Sequence, residues 1–186
     1  MQKQNLNIEA QQVLAEAELL HTPADIEKAL DRMAVDITAT LADKNPVILC
    51  LMIGAVVPAG ILIPKLNFPL EIDYVHATRY QGETSGSEIK WRKLPEINLK
   101  DRHVLLIDDI LDEGITLAAI IEECNKLGAA AIYTAVLVDK QLNRPRALEK
   151  TDFAGLTVPN RYVFGFGMDY KGYLRNAPGI YAVKGL

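Results

Sequence analysis

Two kinds of apolar pattern alternate along this chain. Short runs rich in Val, Ile and Leu lie at residues 47–52, 104–107 and 132–138, with a more mixed one at 70–77. Elsewhere apolar residues recur every three or four positions, as in Val13, Leu14, Ala17 and Leu20, and again in Ile26, Leu30, Met33, Ile37 and Leu41. The short runs predict buried strands, and the spaced ones predict helices with one buried stripe. A first helix is expected over residues 8–20, with Asn7 as its cap. The second starts at Thr22-Pro23-Ala24-Asp25: a cap residue, a proline in the first turn, then an acid near the positive end of the helix dipole. A short helix over 59–66 and a longer one over 116–127, stopped by Gly128, complete the set. Strands alternating with helices predict an α/β fold with a doubly wound parallel sheet. The polar stretch 78–95 has no period and reads as a loop or a ribbon. After Lys140 the pattern breaks into short pieces around Pro145, Pro159 and Pro178.

Composition narrows the class. The chain has 186 residues, 49% apolar and 24% charged, which predicts a single compact domain. A net charge of -4 argues against a general nucleic-acid binder, while leaving room for a local basic pocket. Cys50 and Cys124 sit inside apolar patterns with no disulfide framework and no metal-ligand spacing, so a reducing compartment is expected. The amino-terminal stretch has no apolar core of a secretory signal, and a cytoplasmic location is expected. Residues 46–64 carry no charge and are long enough to span a bilayer. Gly54, Pro58 and Gly60 interrupt them, and a buried strand, a glycine turn and a short helix account for them better; no membrane association is expected. His21, His76 and His103 show no metal-ligand spacing and are assigned no role.

The segment 104–117 carries the chemistry. Four apolar residues, Val104 to Ile107, lead to adjacent carboxylates at Asp108 and Asp109. A loop with Asp112, Gly114 and Thr116 follows, and Leu117 opens a helical pattern. Between the carboxyl end of a strand and the amino end of a helix, backbone N–H groups and the helix dipole favour an anion. Two carboxylates at that mouth would repel a bare phosphate, but they suit hydroxyl groups or a metal ion carried by the ligand. A phosphate on one side and a sugar diol on the other describe a phosphorylated ribose. The plainer reading is a polar turn capping an ordinary strand-helix unit.

This run resembles the phosphoribosyl-diphosphate signature of the type I phosphoribosyltransferases. There a hydrophobic strand leads to two acids and then to an acidic-x-Gly-x-Thr loop, and the spacing here matches without a gap. The carboxyl-terminal part resembles the hypoxanthine-guanine members: a strand runs into Lys140, residues 162–170 read YVFGFGMDY, and Arg175 follows. The resemblance spans about residues 45–180. It implies a parallel-sheet core at about 45–139 and a small hood over the base, made from the amino-terminal helix (about 1–20) and residues 140–186. It implies a purine-salvage transferase that joins N9 of hypoxanthine or guanine to C1 of phosphoribosyl diphosphate and expels pyrophosphate. Magnesium is the implied cofactor, and a homodimer or homotetramer the implied assembly.

By the same resemblance, Asp108 and Asp109 would accept hydrogen bonds from the ribose diol. Glu113, Gly114, Ile115 and Thr116 would surround the 5′-phosphate. Ile53 and Gly54 lie in the loop that meets pyrophosphate, and Arg175 would bind its oxygens. Asp112 is the candidate general base for the proton on purine N7. Lys140, just past its strand, would donate to a 6-oxo group. Tyr162 would stack on the ring, Val163 would offer backbone groups, and Asp169, with Asp108, would hold the magnesium ion. Arg79 and Tyr80, with Gly82 and Gly86 as hinges, fall where the family carries a mobile lid that excludes water. Plainer roles stand beside these: a surface lysine, a core tyrosine, surface charges and a helix-capping aspartate.

Four positions depart from the family pattern. Met52-Ile53-Gly54-Ala55 keeps the pyrophosphate-loop glycine but lacks its usual lysine or arginine. Arg79 replaces the serine of a Ser-Tyr pair. Glu113 holds a place that is usually small, and its side chain is expected to point outward, away from the phosphate. Ile115 replaces a small or polar residue. Two other functions stay open on sequence: a type I enzyme for another base, such as xanthine or a pyrimidine, and a non-catalytic sensor of phosphoribosyl diphosphate.

Overall fold

The computed structural model describes residues 2–79 and 89–185. Helix α1 (Gln2–Glu16) leads into strand β1 (Glu18–His21) and helix α2 (Pro23–Leu41). Next come β2 (Val47–Leu51), α3 (Val56–Leu62), a 3₁₀ turn (Ile63–Lys65), β3 (Glu71–Arg79) and β4 (Ile89–Lys93). The signature follows as β5 (His103–Leu111) and α4 (Ile115–Lys126), and then come β6 (Ala131–Gln141), β7 (Phe153–Pro159), β8 (Val163–Phe164) and β9 (Ile180–Ala182).

Six strands form the main sheet in the order β4-β3-β2-β5-β6-β7. All neighbours are parallel except the β3–β4 edge. Every residue of β2 is buried, as are Val104 to Ile107 of β5, so both faces of the sheet centre are covered. The β2–α3–β3 and β5–α4–β6 crossovers step to opposite edges. With right-handed connections their helices therefore lie on opposite faces, the doubly wound arrangement. Helix α2 packs on β6, β7 and α3. Its stripe of Ile26, Leu30, Met33, Ile37 and Leu41 is buried as its spacing predicts, each side chain contributing roughly 1.5–3 kcal/mol. The expected cap at Thr22 forms a full box: its hydroxyl oxygen accepts from the Asp25 backbone N–H, and the Asp25 carboxylate accepts from the Thr22 N–H.

A second, antiparallel sheet has the order β1-β9-β8. Beneath it, Ala10 of α1 joins Phe164, Tyr170, Ala177 and Val183 in a separate apolar cluster. Glu9 extends this contact by accepting from the Tyr170 hydroxyl at 2.6 Å and from Lys171 at 2.7 Å.

Several expected boundaries move. Asn7 is not a cap, because α1 runs through it, and Leu19 and Leu20 leave the helix for β1. The partner that draws them out is β9, with Glu18 opposite Ala182 and His21 opposite Ile180. Asp108 and Asp109 lie within β5, which β6 keeps paired as far as Leu111 opposite Asp139. Lys140 lies inside β6 rather than beyond it, because β7 continues the ladder to Gln141 opposite Pro159. The polar stretch after β3 returns as a ribbon, with Arg79 opposite Ile89. Residues 46–64 form β2, a turn and α3, and no helix among the described residues is long and apolar enough to cross a membrane.

Candidate active site

The carboxyl ends of β2, β5 and β6 and the amino end of α4 surround an open cavity of about 720 Å³. Helix α4 starts on Gly114 with no side-chain cap and no acid in its first turn. Its first N–H groups are thus left for a ligand, and the helix dipole favours a negative one. Across the cavity, the turn after β2 brings Gly54 against Asp109. A Cβ on Gly54 would lie 2.1 Å from an Asp109 carboxylate oxygen, so any side chain there would have to displace that carboxylate. Gly167 rides over the same turn, where its Cβ would meet the Gly54 carbonyl oxygen at 2.2 Å. The carboxyl-terminal segment is in this way seated on the cavity rim.

Burial raises the Asp108 carboxyl well above the usual carboxylate range, and the neighbouring Asp109 charge adds to the effect. Asp109 is raised too, mainly by burial, while hydrogen bonding from Asp108 and the charge of Arg175 oppose the shift. Arg175 ties this pair to the far wall. It lies 3.8 Å from the Asp109 carboxylate and 2.6 Å from that of Asp169, and donates to the Gly167 carbonyl at 2.6 Å. The second oxygen of Asp169 accepts from the Gly172 N–H at 2.7 Å.

Asp112 and Lys140 meet directly, Lys140 Nζ donating to Asp112 Oδ2 at 2.8 Å. Lys140 is largely covered, whereas Asp112 is about half open. Tyr162 is 40% exposed, too open for core packing, and its ring meets Tyr170 in a T-shaped contact with centroids 5.5 Å apart. The Glu113 side chain meets the exposed β6–β7 connection. Arg144, on the β6–β7 connection, donates to its carboxylate at 2.6 Å, and the Ala147 N–H donates to its carbonyl at 2.9 Å. That connection is pinned by Arg146, which donates to the Asp139 carboxylate at 2.7 Å and to the Lys140 carbonyl at 3.1 Å.

One cavity therefore gathers Asp108, Asp109, Asp112 to Thr116, Ile53 and Gly54, Lys140, Tyr162, Val163, Asp169 and Arg175. Of the two lid residues, Arg79 ends β3 as backbone; its side chain, together with Tyr80, Gly82 and Gly86, lies outside the described residues. Sequence reasoning missed His76, Thr78 and Arg92, which line the β3–β4 wall, and the clamp of Arg144 and Arg146. The only signal for the clamp was a pair of arginines around Pro145.

Among the described residues, no group of three or more His, Cys, Asp or Glu side chains forms a ready metal cage. Single carboxylates at Asp108 and Asp169 fit an ion that keeps waters and substrate oxygens as its other ligands, as magnesium does.

The chain matches the phosphoribosyl transferase domain over residues 16–171. It is 32% identical to a hypoxanthine-guanine-xanthine phosphoribosyltransferase of Tritrichomonas foetus over 89% of this chain and 91% of the relative. It is 31% identical to a hypoxanthine-guanine phosphoribosyltransferase of Bacillus subtilis strain 168 over 89% of this chain and 92% of that one. Among solved structures, a hypoxanthine phosphoribosyltransferase from Staphylococcus aureus superposes with a TM-score of 0.84 at 28% identity, covering 90% of this chain and 91% of the other. The domain match and these relatives agree, and the chain belongs to the phosphoribosyltransferase family.

Proposed function

We propose that this protein is a purine-salvage transferase that moves the phosphoribosyl group of phosphoribosyl diphosphate to N9 of hypoxanthine or guanine. The carrying observation is the shared cavity: the open α4 amino end and the acids of β5 face Lys140, Tyr162 and Asp169 across one space. A bond forms between N9 and C1 of the ribose. The C1–oxygen bond breaks, and pyrophosphate leaves with its electron pair. Asp112 takes the proton from N7, and Lys140 donates to the 6-oxo group, so a bound base must separate the pair these residues make at 2.8 Å. Asp108 and Asp109 orient the ribose hydroxyls, and the N–H groups of residues 114–116 hold the 5′-phosphate. Tyr162 stacks on the base, the Val163 backbone meets its edge, and Arg175 meets pyrophosphate. Asp169 and Asp108 would hold a magnesium ion, which when bound would supply positive charge to the pyrophosphate oxygens.

Residues 1–186 are read as one domain, with the small sheet and α1 as the hood over the base. Cytoplasmic location and a homodimer or homotetramer complete the reading. Incubating the protein with phosphoribosyl diphosphate, magnesium and hypoxanthine, guanine, xanthine, adenine or uracil in turn tests it. Nucleotide and pyrophosphate should form in equal amounts with hypoxanthine or guanine, and not with adenine or uracil. Donor binding with no pyrophosphate release from any base would make the protein a sensor instead.

A further inference from the structure

The cavity is rich in carboxylates for a site that is to hold a doubly phosphorylated sugar. Asp108, Asp109, Asp112, Glu113 and Asp169 all line it. Its cations are mostly committed: Lys140 is held by Asp112, and Arg175 by Asp169 and the Gly167 carbonyl. The α4 amino end can receive one phosphate. On the opposite side, the turn after β2 offers Met52, Ile53, Gly54 and Ala55, with backbone but no charge, and Ile53 is 53% exposed there. An anionic group lying between that turn and β5 faces Asp109 with nothing from the turn to offset it.

Arg92 answers this imbalance. It projects from β4 and lines the cavity with His76, Ala77 and Thr78, yet forms no ion pair among the described residues. The β3–β4 ladder breaks beside it. His76 pairs with Lys93 and the next residue, Ala77, pairs with Trp91, so Arg92 is the extra residue of a β-bulge. Burial along β4 still alternates, and Arg92 is exposed on it, so its guanidinium is open to a ligand in the cavity. The same wall joins the uncharged turn, because the Met52 N–H donates to the Val75 carbonyl at 2.9 Å, one residue before His76.

We infer that Arg92 binds the pyrophosphate end of the donor, providing from β4 the positive charge that the turn after β2 lacks. This rests on the transfer reaction proposed above. A guanidinium suits the role, since its fork of donors matches two phosphate oxygens at once.

Calorimetric titration of the full-length protein with magnesium pyrophosphate, and separately with inosine 5′-monophosphate, tests the assignment in Arg92→Met, Arg92→Lys and the double variant Arg92→Met/Ile53→Lys. Arg92→Met should weaken pyrophosphate binding about ten- to a hundred-fold, the range for losing a hydrogen bond to a charged group. Monophosphate affinity and melting temperature should be unchanged. Arg92→Lys should keep part of the affinity, and a lysine at position 53 should restore part of what Arg92→Met loses. Parent-like pyrophosphate binding by Arg92→Met overturns the assignment, as does an equal loss for the monophosphate. If the parent protein binds neither ligand, the transfer reaction itself fails and this inference falls with it.

Discussion

In the proposed reaction Asp112 takes the proton and Lys140 selects the base, and the two side chains meet at 2.8 Å. Asp112→Asn should keep the fold and the 2.8 Å contact to Lys140, since an amide oxygen also accepts, while it can no longer take a proton from N7. Turnover should fall by about 10² to 10⁴, measured as nucleotide formed per second at saturating substrates. Near-parent turnover would remove Asp112 from this role. At this scale the contiguous run from Asp108 to Thr116 was legible, because each residue's place follows from a strand ending beside a helix start. Arg92 was not legible. It lies in a stretch with no apolar period, and it meets the cavity only because β4 pairs with β3 along the cavity wall.

At the scale of elements, the strand-helix unit β5–α4 and the buried stripe of α2 stand in the apolar pattern itself. Strand β7, which carries Gly155, was missed because the pattern after Lys140 breaks into short pieces around Pro145 and Pro159. Gly155 is a contact point: its Cβ would lie 2.7 Å from the Leu137 carbonyl oxygen and 3.0 Å from the Met33 sulfur, so β6 and α2 close over it. Pro159 ends an edge strand, where a missing N–H costs little. Strand β1 was read as helix because its partner lies near residue 181, beyond any local signal. The β6–β7 connection lies against Glu113, with Arg146 as its anchor. Arg146 and Asp139 are both mostly buried, and removing one partner leaves a covered charge. Arg146→Ala should lower stability by about 2–4 kcal/mol in urea unfolding and raise the KM for phosphoribosyl diphosphate, because Glu113 and its neighbours lose their backing. A variant as stable as the parent would show that this clamp is slack.

For the whole molecule, the acid pair links the site to stability. Burial raises both carboxyl groups in the folded chain. Between the ordinary carboxylate pKa and the raised values, the native state binds more protons than the unfolded state. Stability therefore falls as pH rises through that window, and the cost stays above it. In metal-free protein, Asp108→Asn should melt at a higher temperature than the parent at neutral pH. The difference should vanish as pH drops toward the ordinary carboxylate range. A difference independent of pH would assign the cost to packing rather than charge. In the proposed reaction, the ligand's hydroxyls or a cation meeting the two acids would return the stability that their burial costs.

The most direct test of the account is a crystal structure of the protein with phosphoribosyl diphosphate, magnesium and an unreactive 6-oxopurine analogue. The 5′-phosphate should lie on the N–H groups of residues 114–116, with the ribose diol on Asp108 and Asp109 and the base between Lys140 and Tyr162. Density for the donor anywhere else, or a cavity filled by the protein's own side chains at saturating ligand, would contradict it.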